Sequence, residues 1–240
     1  MDSKSFNSYF PEEINTYKEL GGLYLKLFNQ INNKVFDYPQ DTIRLLLGYN
    51  ALLISRSFWE LKEGYVGVSM LILRSALENL VHSMYFLEYP ETEKEIRERH
   101  ENNFINIRDL LPKKYRNGWQ VEGELKRIDE EGTIFPKNGW YQKIYKNIIE
   151  ELNFFVHTNP DYIYTTIYQQ NGEDITLQLG PNYKEERFIK NAFQKIIEVQ
   201  EYTIGILDKT FKEDIQDNSP QILKAAIKKT NKWKLDYHKK

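Results

Sequence analysis

The chain has 240 residues, of which 40% are hydrophobic, 28% charged and 14% aromatic, and its formal net charge is −2. A chain of this length can bury roughly 70% of its unfolded surface, its aromatic content argues against disorder, and its balanced charge leaves no global field to attract nucleic acid or an anionic membrane. Because it contains no cysteine, disulfides, thiolate chemistry, Cys-ligated zinc and iron–sulfur clusters are excluded.

Met1-Asp2-Ser3-Lys4 is followed by no apolar stretch, which predicts no signal peptide and a cytoplasmic location. Pro11 opens a first helix expected to run to about Phe36, with Ile14, Tyr17, Leu20, Tyr24, Leu25, Phe28 and Ile31 at helical spacing. Pro39 and Asp41 precede a second helix to about Lys62, with Asp41 as its expected N-cap. Gly64 marks a turn, and a third helix is expected from Val66 to Glu88. The second and third helices are apolar nearly all round, the signature of central helices covered on several sides. Their short connection makes them antiparallel partners. A membrane span needs roughly 18 apolar residues with few charges. The stretch 66–87 is interrupted by Arg74, Glu78 and His82, and 45–55 is too short, so no membrane partner is expected.

Pro90 opens a charged helix to about Leu111. A connector with one short helix near Val121 to Asp129 follows, and then a ridged helix from about Lys137 to Val156. The period changes to two across residues 162–168, and Asn171-Gly172 separates them from a second β-branched run ending before Gly180-Pro181. This pattern predicts a β-hairpin over about 162–179. A long helix is expected from about Tyr183 to Asp214, and a basic C-terminal helix over about 220–237. The expected fold class is all-α: a single helical domain over 1–240, built as a bundle with long central antiparallel helices and one small β-hairpin. A two-stranded hairpin is marginal alone, and its tyrosines suit an interface. A homodimer formed through the hairpin or the long helices is therefore expected.

Arg74, Glu78 and His82 lie at i, i+4 and i+8 on the third helix and span about 80° of one face. Ser75 and Asn79 lie beside them. Arg74 and Glu78 form a natural ion pair, either tying the helix to a neighbour or lining a pocket that binds an anion through Arg74. Arg74, Ser75, Glu78 and His82 are the candidate ligand-binding residues. His157 ends the ridged helix, either as a capping cation near a helix C-terminus or as a general base. No paired-histidine zinc motif, phosphate-binding glycine loop or nucleophile elbow occurs, so neither a metal nor a cofactor is expected. The C-terminal helix interleaves Trp233 and Tyr237 with lysines, a pattern that can bind nucleic acid.

Arg74-Ser75-Ala76-Leu77-Glu78, followed by Val156-His157 and Gly180-Pro181, resembles a family of uncharacterised bacterial all-helical proteins with an Arg-Ser-x-x-Glu helix and a downstream His. The chain is also similar to the wider HEPN class of helical bundles. The resemblance covers roughly residues 40 to 185. It implies a helical bundle linked to bacterial defence or stress, with Arg74, Glu78 and His157 as candidate catalytic residues. HEPN nucleases carry Arg and His separated by four to six residues, and no histidine here has an arginine at that spacing. The expectation is therefore a non-catalytic binding or interaction module. The alternative is a HEPN-like enzyme processing RNA or a nucleotide with a composite Arg/Glu/His site.

Overall fold

The computed structural model describes residues 6–100, 107–135, 137, 139–152, 168–171, 174–177, 186–215 and 228. His157 and the C-terminal helix expected from residue 220 lie outside the described residues, apart from residue 228.

Helix α1 spans Phe6–Tyr9 and α2 spans Pro11–Ile31. Pro11 suits the first helical position because its missing N–H would have no intrahelical partner there. Helix α2 stops at Ile31, short of the expected Phe36. Arg44 Nη1 there donates to the carbonyl of Asn32 at 2.6 Å. Helix α3 (Gln40–Lys62) and α4 (Val66–Glu88) are joined by three residues, among which Gly64 has φ 85°. Asp41 does not cap α3. Pro39 takes the cap position with helical backbone angles, and Asp41 sits in the first turn, paired with Arg44 at 2.6 Å.

Helices α5 (Pro90–His100) and α6 (Ile107–Leu110) and a tight turn at Lys113–Tyr115 lead to α7 (Gln120–Glu131). Helix α8 (Tyr141–Ile149) is wound as a π-helix, so the Glu150 N–H donates to the carbonyl of Tyr145 rather than one residue nearer. Its expected ridge still faces inward through Ile144, Tyr145, Ile148 and Ile149. Helix α9 spans Glu186–Thr210.

Helix α4 lies at the centre and packs against α3, α7 and α9, while α9 also packs on α2 and α3. An aromatic group locks α1, α2, α3 and α9 together: Tyr17 stacks on Phe58 at 4.3 Å, and Phe58 meets Phe193 at 5.4 Å. At the end of α4, the Glu88 carboxylate would face the negative end of its own helix. It is held instead by backbone amides of the following loop. Thr133, Ile134 and Phe135 all donate to it, with the Ile134 and Phe135 bonds at 2.9 and 3.1 Å.

The fold is all-α, and the expected β component is corrected. Among the described residues the buried core is formed by the helices and the segments that join them. What is described over 162–179 is a ladder of two four-residue strands, β1 (Tyr168–Asn171) and β2 (Asp174–Leu177), paired Tyr168 to Leu177 and Asn171 to Asp174. Residues 162–167 and 178–179 lie outside the described residues. A pair this short has no core of its own, and period-two patterning measures β-propensity without supplying a surface to cover it.

Helix α3 is also not covered all round. Leu45, Tyr49, Leu52 and Trp59 are exposed. The 23 residues of α3 pack on α4 and α9 and meet α2 through Tyr17 and Tyr24, whereas this line faces outward, with Lys62 of the same helix over the Trp59 ring. Among the described residues, no helix is long and apolar enough to cross a membrane.

Candidate functional site

The polar residues of α4 meet the N-terminal half of α7. Two glycines set that approach. Gly118 has φ +100°, a conformation that only glycine adopts without a Cβ penalty, and it turns the chain into Trp119. Glu122 reaches back from the first turn of α7 to accept the Trp119 N–H at 3.4 Å, the return half of a capping box. Burial opposes the charge on Glu122, but Lys126 at 2.7 Å, the Trp119 amide and Tyr141 outweigh it and hold its pKa below the ordinary carboxylate value. At Gly123, a Cβ would lie 2.1 Å from the carbonyl oxygen of Tyr115. Only glycine lets α7 sit this close to the preceding turn.

With α7 so placed, Val121, Leu125 and Ile128 enter the core, and Glu124 enters with them. Glu124 is 0% exposed, and both its oxygens are occupied. His82 donates from Nδ1 to Oε2 at 2.8 Å, and Gln120 donates from Nε2 to Oε1 at 3.1 Å. Burial disfavours the imidazolium, but the charge and hydrogen bond of Glu124, with the charge of Glu78, raise the His82 pKa above its ordinary value.

One turn back along α4, Arg74 donates from Nε to Oε1 of Glu78 at 3.0 Å. The Arg74 side chain is 10% exposed and that of Glu78 34%. The Trp119 ring covers the guanidinium, with its centroid 4.7 Å from Cζ, a cation–π contact. The cluster thus reads Trp119, Arg74, Glu78, His82, Glu124 and Gln120, with Arg74 and His82 each bonded to a carboxylate.

Arg74, Glu78 and His82 stand together as their spacing predicts. Ser75 does not join them: it is exposed and, among the described residues, makes none of the cluster's hydrogen bonds. Local spacing missed Glu124, Trp119 and Gln120. The available signal was a carboxylate inside the apolar face of α7, between Val121 and Leu125.

The cluster opens to solvent beside Trp119. An open cavity of about 540 Å³ is lined by Arg108, Gly118, Trp119 and Gln120, within the size range of small-molecule sites. Among the described residues, Nη1 and Nη2 of Arg74 have no hydrogen-bond partner, which leaves the planar fork that suits a carboxylate or phosphate. Trp119 is 46% exposed and offers ring surface beside it. Among the described residues, no group of three or more His, Asp or Glu side chains could hold a metal ion. No protein-family model matches the chain, and neither does any curated protein or solved structure compared with it.

Proposed function

We propose that the protein is a non-catalytic, cytoplasmic binding module whose ligand is a small anion carrying a flat ring, a nucleotide or the end of an RNA strand. The observation that carries this reading is Arg74. Its Nε is committed to Glu78, its Cζ lies over the Trp119 ring, among the described residues its terminal nitrogens have no hydrogen-bond partner, and Trp119 itself lines an open cavity. A guanidinium held in this way is pre-organised for a phosphate, and an exposed indole adds stacking for a base.

The test is titration of Trp119 fluorescence, with calorimetry, against adenosine monophosphate, inorganic phosphate and a short single-stranded RNA. Arg74→Met and Trp119→Ala, each still folded by circular dichroism, should weaken binding at least about tenfold, or about 1.4 kcal/mol. Binding that survives Arg74→Met, or no binding by wild type at millimolar ligand, would sink the reading.

A second reading rests on a different observation. The Nδ1 bond from His82 to buried Glu124 fixes the imidazole and leaves Nε2 as the atom able to exchange a proton. This is the arrangement of an oriented acid–base histidine, and it supports a HEPN-like enzyme acting on RNA or a nucleotide. RNA cleavage by wild type that is lost in a folded His82→Asn would favour it over the binding module. His157 lies outside the described residues and is not needed for either reading.

A further inference from the structure

The outward line of α3 is built for a partner. Five residues of this helix are exposed, Leu45, Tyr49, Leu52, Arg56 and Trp59, and they are spaced by four, three, four and three. That spacing is a heptad seam, the pattern by which helices pair in coiled coils, and it covers about 21 Å of helix. The solvent face of a surface helix is ordinarily polar, whereas here four of the five positions are apolar or aromatic. Leu45 is 62% exposed, Tyr49 55%, Leu52 66% and Trp59 51%. Together they leave on the order of 500 Å² of side chain in water, at the upper end of the largest patch on an ordinary monomer. Val68 and Leu71 of α4 are exposed as well.

We infer that this seam is where two copies of the chain dock, α3 against α3 in antiparallel orientation. The line is nearly symmetric about Leu52, with seven residues to Leu45 on one side and seven to Trp59 on the other. It is therefore complementary to itself under a two-fold axis, as an isologous interface requires. Arg56 sets the orientation. In a parallel pair it would face its own copy inside an apolar seam, and like charges there repel. Antiparallel docking carries Arg56 to the partner's end that holds Leu45 and Tyr49, where a guanidinium can lie on a tyrosine ring. Glu60, already ion-paired to Arg56, keeps the charge balanced at the rim. A standard interface needs about 800 Å² per partner, of which the seam itself supplies more than half. This inference is independent of the ligand site.

The test is sedimentation equilibrium of the full chain at about 20 µM, together with Leu52→Glu and Leu52→Cys. Wild type should sediment at twice the chain mass. Leu52→Glu replaces a side chain that is mostly in water, so it should keep its helical signal while the dimer dissociation constant rises at least about a hundredfold. Because the chain has no cysteine, Leu52→Cys places one thiol at the proposed axis. Mild oxidation should cross-link it as a dimer, whereas Val35→Cys, almost fully exposed and beside the N-terminal end of α3, falls at opposite ends of an antiparallel pair and should not. A monomeric wild type, a Leu52→Glu that stays dimeric, or a Leu52→Cys dimer that resists cross-linking would each overturn the inference. The first outcome would mean that the face is covered from within the chain or left bare, and the second that dimerisation uses another surface.

Discussion

Nδ1 of His82 and Oε2 of Glu124 lie 2.8 Å apart across the contact between α4 and α7, and the carboxylate has no exposed surface. The histidine is the member of the pair that titrates near neutrality, and its folded pKa is raised. A raised pKa means that the folded state binds the proton more tightly than the unfolded state. The stabilisation is therefore fully present below the unfolded value of about 6.5 and is lost as pH rises through the higher folded value. Urea unfolding of wild type and His82→Gln at pH 6 and pH 9 should show the larger gap between the two proteins at pH 6. A gap independent of pH would show that the pair is not protonated in the folded protein.

The Arg74–Glu78 pair is only partly removed from water, because Glu78 retains 34% of its side-chain exposure. Glu78→Leu should therefore cost about 1.5–2 kcal/mol, the low end of the range for a hydrogen bond to a charged group, rather than the about 3–5 kcal/mol lost when a fully buried pair is broken. Adding Arg74→Met should recover much of that loss, since the remaining charge is then gone. Chemical denaturation of both single variants and the double variant measures the cycle.

Glu88 should matter more than its position at a helix end suggests. Glu88→Ala removes the acceptor of the Thr133, Ile134 and Phe135 amides at once. Leaving these donors unpaired should cost about 2–3 kcal/mol. Glu88→Gln, which keeps one carbonyl oxygen, should lose less. Hydrogen exchange at residues 133–135 should accelerate in Glu88→Ala before any other loop responds.

Asn50 predicts the opposite sign. It is fully buried on α3, and among the described residues neither its amide nitrogen nor its oxygen has a hydrogen-bond partner. Asn50→Leu keeps the same branched heavy-atom skeleton and removes two unsatisfied polar atoms. It should leave stability unchanged or raise it by about 1 kcal/mol, read as a higher urea midpoint at constant slope. A loss beyond about 1 kcal/mol would show that the amide is satisfied in solution.

Much of the helical frame was legible because its signals are local. Gly64 and the apolar run after it place α4 at Val66–Glu88 as expected, and the i, i+4 spacing places Arg74 on Glu78. Pairings across elements were not legible. Glu124 is 42 residues from His82, and only the packing of α7 on α4, set by Gly118 and Gly123, brings them together. Asp41 shows a local signal overridden locally: an aspartate before an apolar run suits an N-cap, but Pro39 begins the helix earlier and Arg44 takes the carboxylate. The all-round apolar pattern of α3 also concealed its outward line, because composition alone cannot distinguish a helix wrapped by its own chain from one that leaves a seam open.

The contact between α4 and α7 divides the molecule into two tiers of cooperative opening. Helix α7 contributes Val121, Leu125 and Ile128 to the core, but it is otherwise held by polar bonds: Glu124 to His82, Trp119 to Arg74, and the Arg127 carbonyl accepting from Tyr89 at 3.2 Å. Water can replace each of these bonds at modest net cost, whereas separating α4 from α3 and α9 exposes apolar surface that water cannot compensate. Amides of α7 should therefore exchange through a sub-global opening, while those of α4 wait for complete unfolding. Any ligand that needs both Arg74 and Trp119 then meets a competent site only in the seated fraction, and its apparent affinity scales with that population.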